Sequence, residues 1–301
     1  MDDILAPRFT NEVAARKHLE AIHWPNGPVC PHCESEDCTR LDGKKHRDGL
    51  IQCNLCRKQF TVTVGTVFER SKIPLNKWLL ANHLLCSSKK GMSSHQLHRM
   101  LGVTYKTAFF MTHRIRKAME DDGSPLGGPG KTVESDEAFV GGFKKKRLSG
   151  KVAPKKKIVS LVERGGRARS FHITHIDHTN IRAAIVTNVH RSSILMTDDA
   201  RFYNRIGEEF AKHGTTLHSN REFSRGEGHH SNTAENFFSI LKRGVVGTYH
   251  HWSAQHIHRY LSEFDFRYST KDISDRERAD IALKGIAGKR LTYRPTHSLA
   301  A

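Results

Sequence analysis

The feature that most constrains the fold of this chain is a pair of Cys-x-x-Cys motifs in its N-terminal part. The motifs are Cys30-Pro-His-Cys33 and Cys53-Asn-Leu-Cys56, and a separation of roughly 20 residues between such motifs is typical of zinc sites. Each motif places two thiolates on one tight turn, and two such turns can complete a tetrahedron around zinc. A segment this short has little core, so the metal would supply folding energy. We therefore predict a structural zinc site formed by Cys30, Cys33, Cys53 and Cys56.

The two remaining cysteines have weaker assignments. Cys38 either competes as a zinc ligand or simply packs, and Cys86 is expected in the core because it lies in an apolar helical stretch. The opening residues, MDDILAPRFTNEV, lack the basic-then-apolar pattern of a secretory signal. We therefore expect a cytoplasmic protein in a reducing environment, where paired Cys-x-x-Cys motifs bind metal more often than they form disulfides.

The charge of the chain is strongly positive. It has 49 Lys and Arg residues against 31 Asp and Glu residues, a formal net charge of +18. A field of this sign favours polyanions, and DNA or RNA is the first candidate. Ribosomal and membrane-surface proteins share this bias, so charge alone does not decide. No run of about 18 apolar residues occurs, so we do not expect a transmembrane helix.

The 301 residues divide into five predicted segments. An N-terminal helix and the zinc ribbon occupy residues 1–65, and a helical DNA-binding region follows over 66–120. Residues 121–131 are rich in Gly and Pro and are predicted to be a linker. Residues 132–270 alternate between strand-like and helix-like patterns, which predicts an α/β domain with a mixed sheet. Residues 271–301 are predicted to be a basic tail with one short helix.

A helix-turn-helix candidate lies within the second segment. The first helix is predicted from about Ser94 to Leu101, with a turn at Gly102 and a second helix capped by Thr104. The alternative is a plain helical hairpin that packs between domains. Because the net charge is high, we favour DNA contact. The side chains predicted to meet phosphates and base edges are Lys106, Arg114 and Arg116.

Three acidic residues occur where a strand end or a helix start would place them in a cleft. Asp136 interrupts a predicted strand, Asp198 directly follows a buried one, and Glu235 opens a helix. Each also has a simpler interpretation: a surface charge, a turn residue, and a capping box from Asn232 to Glu235. Lys242 follows Glu235 by seven residues and therefore shares its helix face two turns later. Taken singly, none of these residues establishes a catalytic site.

Taken together, the order of these acidic residues and the lysine resembles the catalytic signature of DDE insertion-sequence transposases. More closely, the chain resembles the zinc-ribbon ISXO-type group of these enzymes, over roughly residues 9–270. The matching stretches are Cys30-Pro-His-Cys33, Glu134-Ser-Asp-Glu-Ala-Phe-Val-Gly-Gly142, Thr197-Asp-Asp-Ala-Arg-Phe-Tyr203, His230-Ser-Asn-Thr-Ala-Glu-Asn-Phe-Phe-Ser-Ile-Leu-Lys-Arg-Gly244, Gly247-Thr-Tyr-His-His-Trp252 and Glu263-Phe-Asp-Phe-Arg-Tyr268.

The resemblance implies an RNase H-like fold with flanking helices and a metal-dependent DNA transposase. Asp136, Asp198 and Glu235 would hold two Mg²⁺ ions, which Mn²⁺ could replace, and Lys242 would bind a phosphate near the scissile bond. Asp199 is an alternative to Asp198. The reaction would be cleavage of the 3′ ends of the element followed by their transfer into target DNA. The partners would be double-stranded DNA, as terminal inverted repeats and as target, and further copies of the chain in a homodimer or higher oligomer. The protein would accordingly be nucleoid-associated in the cytoplasm.

A basic loop follows the strand of Asp136. It contains Lys144, Lys145, Lys146 and Arg147 and is predicted to hold DNA through charge. The alternative is a solvated hairpin, because blocks of like charge are often simply exposed.

Two competing functions remain at this point. A non-catalytic DNA-binding regulator would not need all three carboxylates and Lys242, which are present. A metal-dependent nuclease without strand transfer would rarely need both a zinc ribbon and a helical DNA-reading region. An assay that joins a cleaved end to a target separates the nuclease from the transposase.

Overall fold

The computed structural model describes residues 4–43, 45–141, 155–216 and 231–292. The chain forms two compact units, which are described separately below. The first unit combines Met1–Met119 with Asp272–Ala301, and the second unit is Glu120–Lys271. The first unit is therefore built from both ends of the sequence.

The N-terminal part of the first unit consists of two helices and a small sheet. Helices α1 (Pro7–Thr10) and α2 (Glu12–His23) come first, and the Asn11 side chain accepts the Ala14 N–H and so caps α2. Strands β1 (Cys38–Arg40), β2 (Ile51–Cys53) and β3 (Gln59–Phe60) form an antiparallel sheet in that order. Their small core contains Ile51 and Phe60 beside the cysteines.

Three helices follow the ribbon, α3 (Leu75–Ser87), α4 (Ser94–Leu101) and α5 (Tyr105–Ala118). The predicted pair of helices around Gly102 is present as α4 and α5. Gly102 ends α4 with φ 61° and ψ 40°, a left-handed conformation that glycine adopts without steric cost. The Thr104 side chain accepts the Thr107 N–H and caps α5.

The second unit is built on a five-stranded mixed sheet. Its strands are β4 (Thr132–Val140), β5 (Lys156–Glu163), β6 (Ala168–Ile173), β7 (Ile194–Asp198) and β8 (Lys212–Thr216). The spatial order is β6-β5-β4-β7-β8, with β4, β7 and β8 parallel to one another and β5 antiparallel to both of its neighbours. This topology confirms the predicted RNase H-like mixed sheet with flanking helices.

Helices cover both faces of this sheet. They are α6 (His178–Asn188), α7 (Arg201–Gly207), α8 (Asn232–Gly244), which continues into a π-helical turn (Val245–Tyr249), and α9 (Ile257–Ser269). Alternate residues of a strand point to opposite faces. Accordingly Val133 packs with Ile185 of α6, whereas Ala138 packs with Phe237 of α8 and Phe264 of α9. The even-numbered residues of β4 therefore face α8 and α9.

The predicted linker over residues 121–131 is a packed part of the second unit. Leu126 is fully buried and exchanges backbone hydrogen bonds with Asn188 and His190 at 2.8 and 2.9 Å. Gly127 has φ +80°, and a Cβ atom there would lie 2.2 Å from Ser193 Oγ. The glycines that suggested flexibility thus permit a close approach to the sheet.

The C-terminal segment, predicted to be a tail, contains α10 (Asp275–Lys284) as a packed helix of the first unit. Ala282 and Leu283 are buried, and Asn82 of α3 donates a hydrogen bond of 2.9 Å to the Ala279 carbonyl. Among the helices of the described part of the chain, none combines the length and apolar character needed to cross a bilayer.

Candidate functional site

The four cysteines of the two motifs meet in the ribbon. Cys30 Sγ lies 3.6 Å from Cys56 Sγ, Cys33 Sγ lies 3.5 Å from Cys53 Sγ, and all four sulfurs lie within 4.8 Å of one another. Tetrahedral zinc, with Zn–S bonds of about 2.3 Å, needs sulfurs about 3.8 Å apart. Backbone N–H groups of His32 and Cys56 donate to Cys30 Sγ and Cys53 Sγ. The group therefore fits a structural zinc ion, as predicted.

The other two cysteines have packing roles. Cys38 Sγ donates to the Ser35 carbonyl at 3.5 Å and packs beside the ligand group without joining it. Burial raises the pKa of the Cys38 thiol to about 11. Cys86 is buried in α3. Of the two alternatives for Cys38, packing is the one that the structure favours.

The pairing of β4 with β7 places Asp136 beside Asp198. The two strands are parallel, and Glu134 pairs with Met196. The same register, continued by two residues, sets Asp136 next to Asp198 on one face of the sheet. Neighbouring strands lie about 5 Å apart, so the two half-buried carboxylates are close neighbours. This is the face that α8 and α9 cover.

The end of β7 separates Asp198 from its neighbour Asp199. Asp198 is the last residue of the strand, and its Oδ1 accepts the Ala200 N–H at 3.1 Å where α7 begins. Asp199 follows the strand and is exposed. The register therefore favours Asp198 as the partner of Asp136.

Glu235 and Lys242 lie on α8, and both are exposed. The N-cap of α8 is Ser231, so Asn232 is already helical and Glu235 is the fourth residue of the helix. A capping box needs Glu at the third position after an N-cap side chain. The capping interpretation of Glu235 therefore does not hold in this structure.

Glu235 is not gathered with the two aspartates around one point. Among the residues that the structure describes, the four cysteines are the only group of three or more potential ligands close enough to hold a single ion. The donor chemistry nevertheless fits a divalent cation, since carboxylate oxygens suit Mg²⁺ and Mn²⁺, and Mg²⁺ retains waters that can bridge to a more distant ligand. Asp136 and Asp198 form the closely spaced part of the candidate site.

A further carboxyl group, Glu137, lies at the same edge and was not predicted. Its carboxylate accepts a hydrogen bond from the Tyr203 hydroxyl. Burial raises the pKa of Glu137 to about 7, and the charges of Asp198 and Asp136 also raise it. Glu137 directly follows Asp136 on β4, so its side chain lies on the opposite face of the strand. This alternation was the only feature of the sequence that distinguished the two carboxyl groups. The site thus concentrates negative charge that a bound cation would offset.

The predicted DNA-contacting residues of α5 occupy different environments. Lys106 is exposed in the first turn. Arg114 and Arg116 are only 8% and 1% exposed. Arg114 donates to the Glu69 and Leu291 carbonyls at 3.2 and 3.1 Å, and Arg116 donates to a threonine hydroxyl.

The prediction that Arg114 and Arg116 contact DNA is therefore corrected. Both guanidinium groups are used inside the first unit, because the C-terminal half of α5 is packed on all sides. The predicted contacts Lys144, Lys145, Lys146 and Arg147 lie outside the described residues.

Comparisons with known proteins found family matches to both the zinc-ribbon part and the α/β part of the chain. Residues 125–269 match the ISXO2-like transposase domain, and residues 10–59 match the transposase zinc-ribbon domain. An uncharacterized protein in transposable element ISH50 of Halobacterium salinarum is 28% identical, over 86% of this chain and 91% of its own length. A structural match to a chain in the crystal structure of the Mos1 strand transfer complex covers 72% of this chain and 77% of that chain, with 11% sequence identity and a TM-score of 0.28.

Proposed function

We propose that the chain is a transposase of the ISXO2-like group, as its matches over residues 125–269 and 10–59 indicate, and that it binds the ends of its own insertion sequence, cleaves their 3′ ends and transfers them into target DNA. The observation that supports this proposal is the register of β4 and β7, which pairs Glu134 with Met196 and, continued by two residues, would bring Asp136 next to Asp198. Two carboxylates at this spacing supply the shared ligands that metal-dependent phosphoryl transfer requires.

The catalytic cofactor in this proposal is a pair of Mg²⁺ ions, for which Mn²⁺ may substitute. When bound, such ions activate the attacking oxygen and stabilise the leaving oxygen of an in-line displacement. Asp136 and Asp198 would hold them from the sheet, and Glu235 would complete the ligand set from the start of α8. Lys242, two turns further along α8, would orient a phosphate as a point charge.

The DNA-binding part of the proposal rests on the first unit. The zinc ribbon presents exposed Arg57 and Lys58, and α5 presents Lys106 in its exposed first turn. Such contacts bind phosphates and position the duplex. The net charge of +18 supports double-stranded DNA as the partner. We further propose that two or more copies of the chain act together on the two ends of the element.

The proposal is tested with purified full-length protein and labelled DNA that carries the inverted repeats flanking its gene. Cleavage and joining are measured in Mg²⁺, and end binding is measured by mobility shift. Asp136→Ala and Asp198→Ala should abolish cleavage and joining while end binding stays within a few-fold of wild type, since the phosphate contacts lie elsewhere. Asp199→Ala is the matched control and should remain active.

Three results would contradict the proposal. Cleavage by Asp136→Ala would remove this carboxylate from the site. Wild-type cleavage without joining would indicate a nuclease, and end binding without cleavage would indicate a regulator.

A further inference from the structure

Glu134 is a buried carboxylate that joins two elements of the candidate site. It lies on β4, two residues before Asp136, and its side chain is completely buried. Glu134 Oε1 accepts a hydrogen bond of 2.6 Å from Arg164 Nε, and Oε2 accepts one of 2.9 Å from the Ala234 N–H. Ala234 directly precedes Glu235 in the first turn of α8.

The contact with Ala234 meets a need of the helix. The first N–H groups of an α-helix have no partner within it, and Ala234 is itself buried, so water cannot serve its N–H. Glu134 supplies an acceptor from the sheet, and its negative charge is favourable at a helix N-terminus. One side chain thus fixes the start of α8 relative to the strand that carries Asp136.

We propose that Glu134 is a positioning residue that sets the distance between Glu235 and the two aspartates and is not itself a metal ligand. This inference rests on the proposed function, because it assigns Glu134 an effect through Glu235. Both oxygens of Glu134 already accept strong hydrogen bonds inside the unit. The Glu134 carboxylate affects metal binding indirectly, because it holds the backbone of Ala234, the residue next to the proposed ligand Glu235.

The chemistry requires a carboxylate at this position. The Arg164 guanidinium and the Ala234 N–H are both donors, one to each oxygen of Glu134, so both oxygens must accept. A glutamine can satisfy only one of them, because its NH₂ group would face the other donor. Glu134→Gln should therefore release either Arg164 or the start of α8, with little change in side-chain volume.

The chain offers a matched control in Glu163. This residue is also nearly buried, and its two oxygens likewise accept from a cation, Lys131 at 2.7 Å, and from a backbone N–H, Gly127 at 3.1 Å. Both of these partners belong to the segment that leads into β4, whereas the backbone partner of Glu134 is the residue beside Glu235. Glu163→Gln removes the same kinds of interaction without disturbing the start of α8.

The experiment measures Mn²⁺ binding to the zinc-loaded, full-length protein by the EPR signal of free Mn²⁺. Glu134→Gln should weaken Mn²⁺ binding about 10- to 100-fold, the usual range for residues that orient a metal ligand. Glu163→Gln should bind Mn²⁺ within about two-fold of wild type. Wild-type affinity in Glu134→Gln, or an equal loss in both variants, would overturn the proposal.

A double-mutant cycle with Glu235→Gln identifies the route of the effect. If Glu134 acts through Glu235, adding Glu134→Gln to Glu235→Gln should cause no further loss of Mn²⁺ affinity. Full additivity would overturn the inference and leave the proposed function intact. Wild-type Mn²⁺ affinity in Glu235→Gln alone would instead remove Glu235 from the proposed metal site, and the inference would fall with it.

A second variant covers the case in which Glu134→Gln does not fold. Glu134→Asp keeps the negative charge beside Arg164 but is shorter by one methylene, so its carboxylate cannot reach both donors unless α8 shifts. It should also weaken Mn²⁺ binding. A folded Glu134→Asp protein with wild-type Mn²⁺ affinity would contradict the proposal.

Discussion

Removal of one side chain near the C-terminal end should destabilise the N-terminal zinc-ribbon unit. Leu283 of α10 is 2% exposed and belongs to the first unit. Leu283→Ala removes the buried side chain and leaves a cavity, which costs about 2–5 kcal/mol in protein cores. Because every 1.4 kcal/mol is a factor of about ten, even the lower figure raises the population of the unfolded first unit about 30-fold.

Hydrogen exchange of the zinc-loaded protein, read by mass spectrometry, measures this change separately in each unit. Core amides of α2 and α3 should exchange at least about 30-fold faster in Leu283→Ala, whereas those of β4 and β5 should keep wild-type rates. Leu241→Ala, at a fully buried position of α8, is the matched control and should show the reverse pattern. Unchanged protection of α3 in Leu283→Ala, or an equal loss in both units, would refute the reasoning.

Three further predictions concern single side chains. Cys53→Ser should lose the zinc found by metal analysis of the wild type and unfold the ribbon; wild-type protein purified without chelators and free of zinc would contradict this. Glu235→Gln should abolish strand transfer while the melting temperature hardly changes, because a neutral amide is a poor Mg²⁺ ligand. Asn236→Asp serves as its control. An active Glu235→Gln protein would remove Glu235 from the site. Burial, assisted by the charge of Asp121, raises the pKa of Asp265 from 3.8 to about 7. The folded second unit therefore binds the Asp265 proton more tightly than the unfolded chain does. Its unfolding free energy should fall as pH rises from about 4 to about 7. Asp265→Asn should flatten that decrease in urea titrations, and an unchanged slope would count against it.

Local patterns in the sequence predicted much of the architecture. The Cys-x-x-Cys spacing identified the four ligands, and the turn at Gly102 with its cap at Thr104 identified α4 and α5. The sequence placed Asp136 within one strand and Asp198 at the end of another, whereas the grouping of the two aspartates was implied only by the family resemblance. These features depend on residues close in sequence, or on the period of a strand, so they can be predicted without knowledge of tertiary contacts.

The errors arose where a tertiary contact reversed a local preference. Arg114 and Arg116 have the composition of a DNA-binding face, but both are buried: Arg114 donates to the Glu69 and Leu291 carbonyls, and Arg116 donates to the Thr112 hydroxyl on the same helix. The segment over residues 271–301 was predicted to be a basic tail with one short helix; that helix is α10, and the sequence did not indicate that its Ala282 and Leu283 are buried in the first unit. The role that we propose for Glu134 depends on a contact with Ala234, 100 residues away in the sequence, and no local sequence pattern predicts that contact.

The assembly of the first unit from two distant segments has a consequence for biosynthesis. Its closing helix, α10, is translated only after the whole of Glu120–Lys271. At about 5–20 residues per second, the ribosome needs roughly 8–30 s to make that intervening stretch. During this interval α2 and α3 lack the helix that packs against them, while the segment that carries the carboxylates is emerging. A chain released early would therefore lack a complete first unit, the part of the chain for which we propose DNA binding, so under that proposal competence to engage DNA would be acquired last.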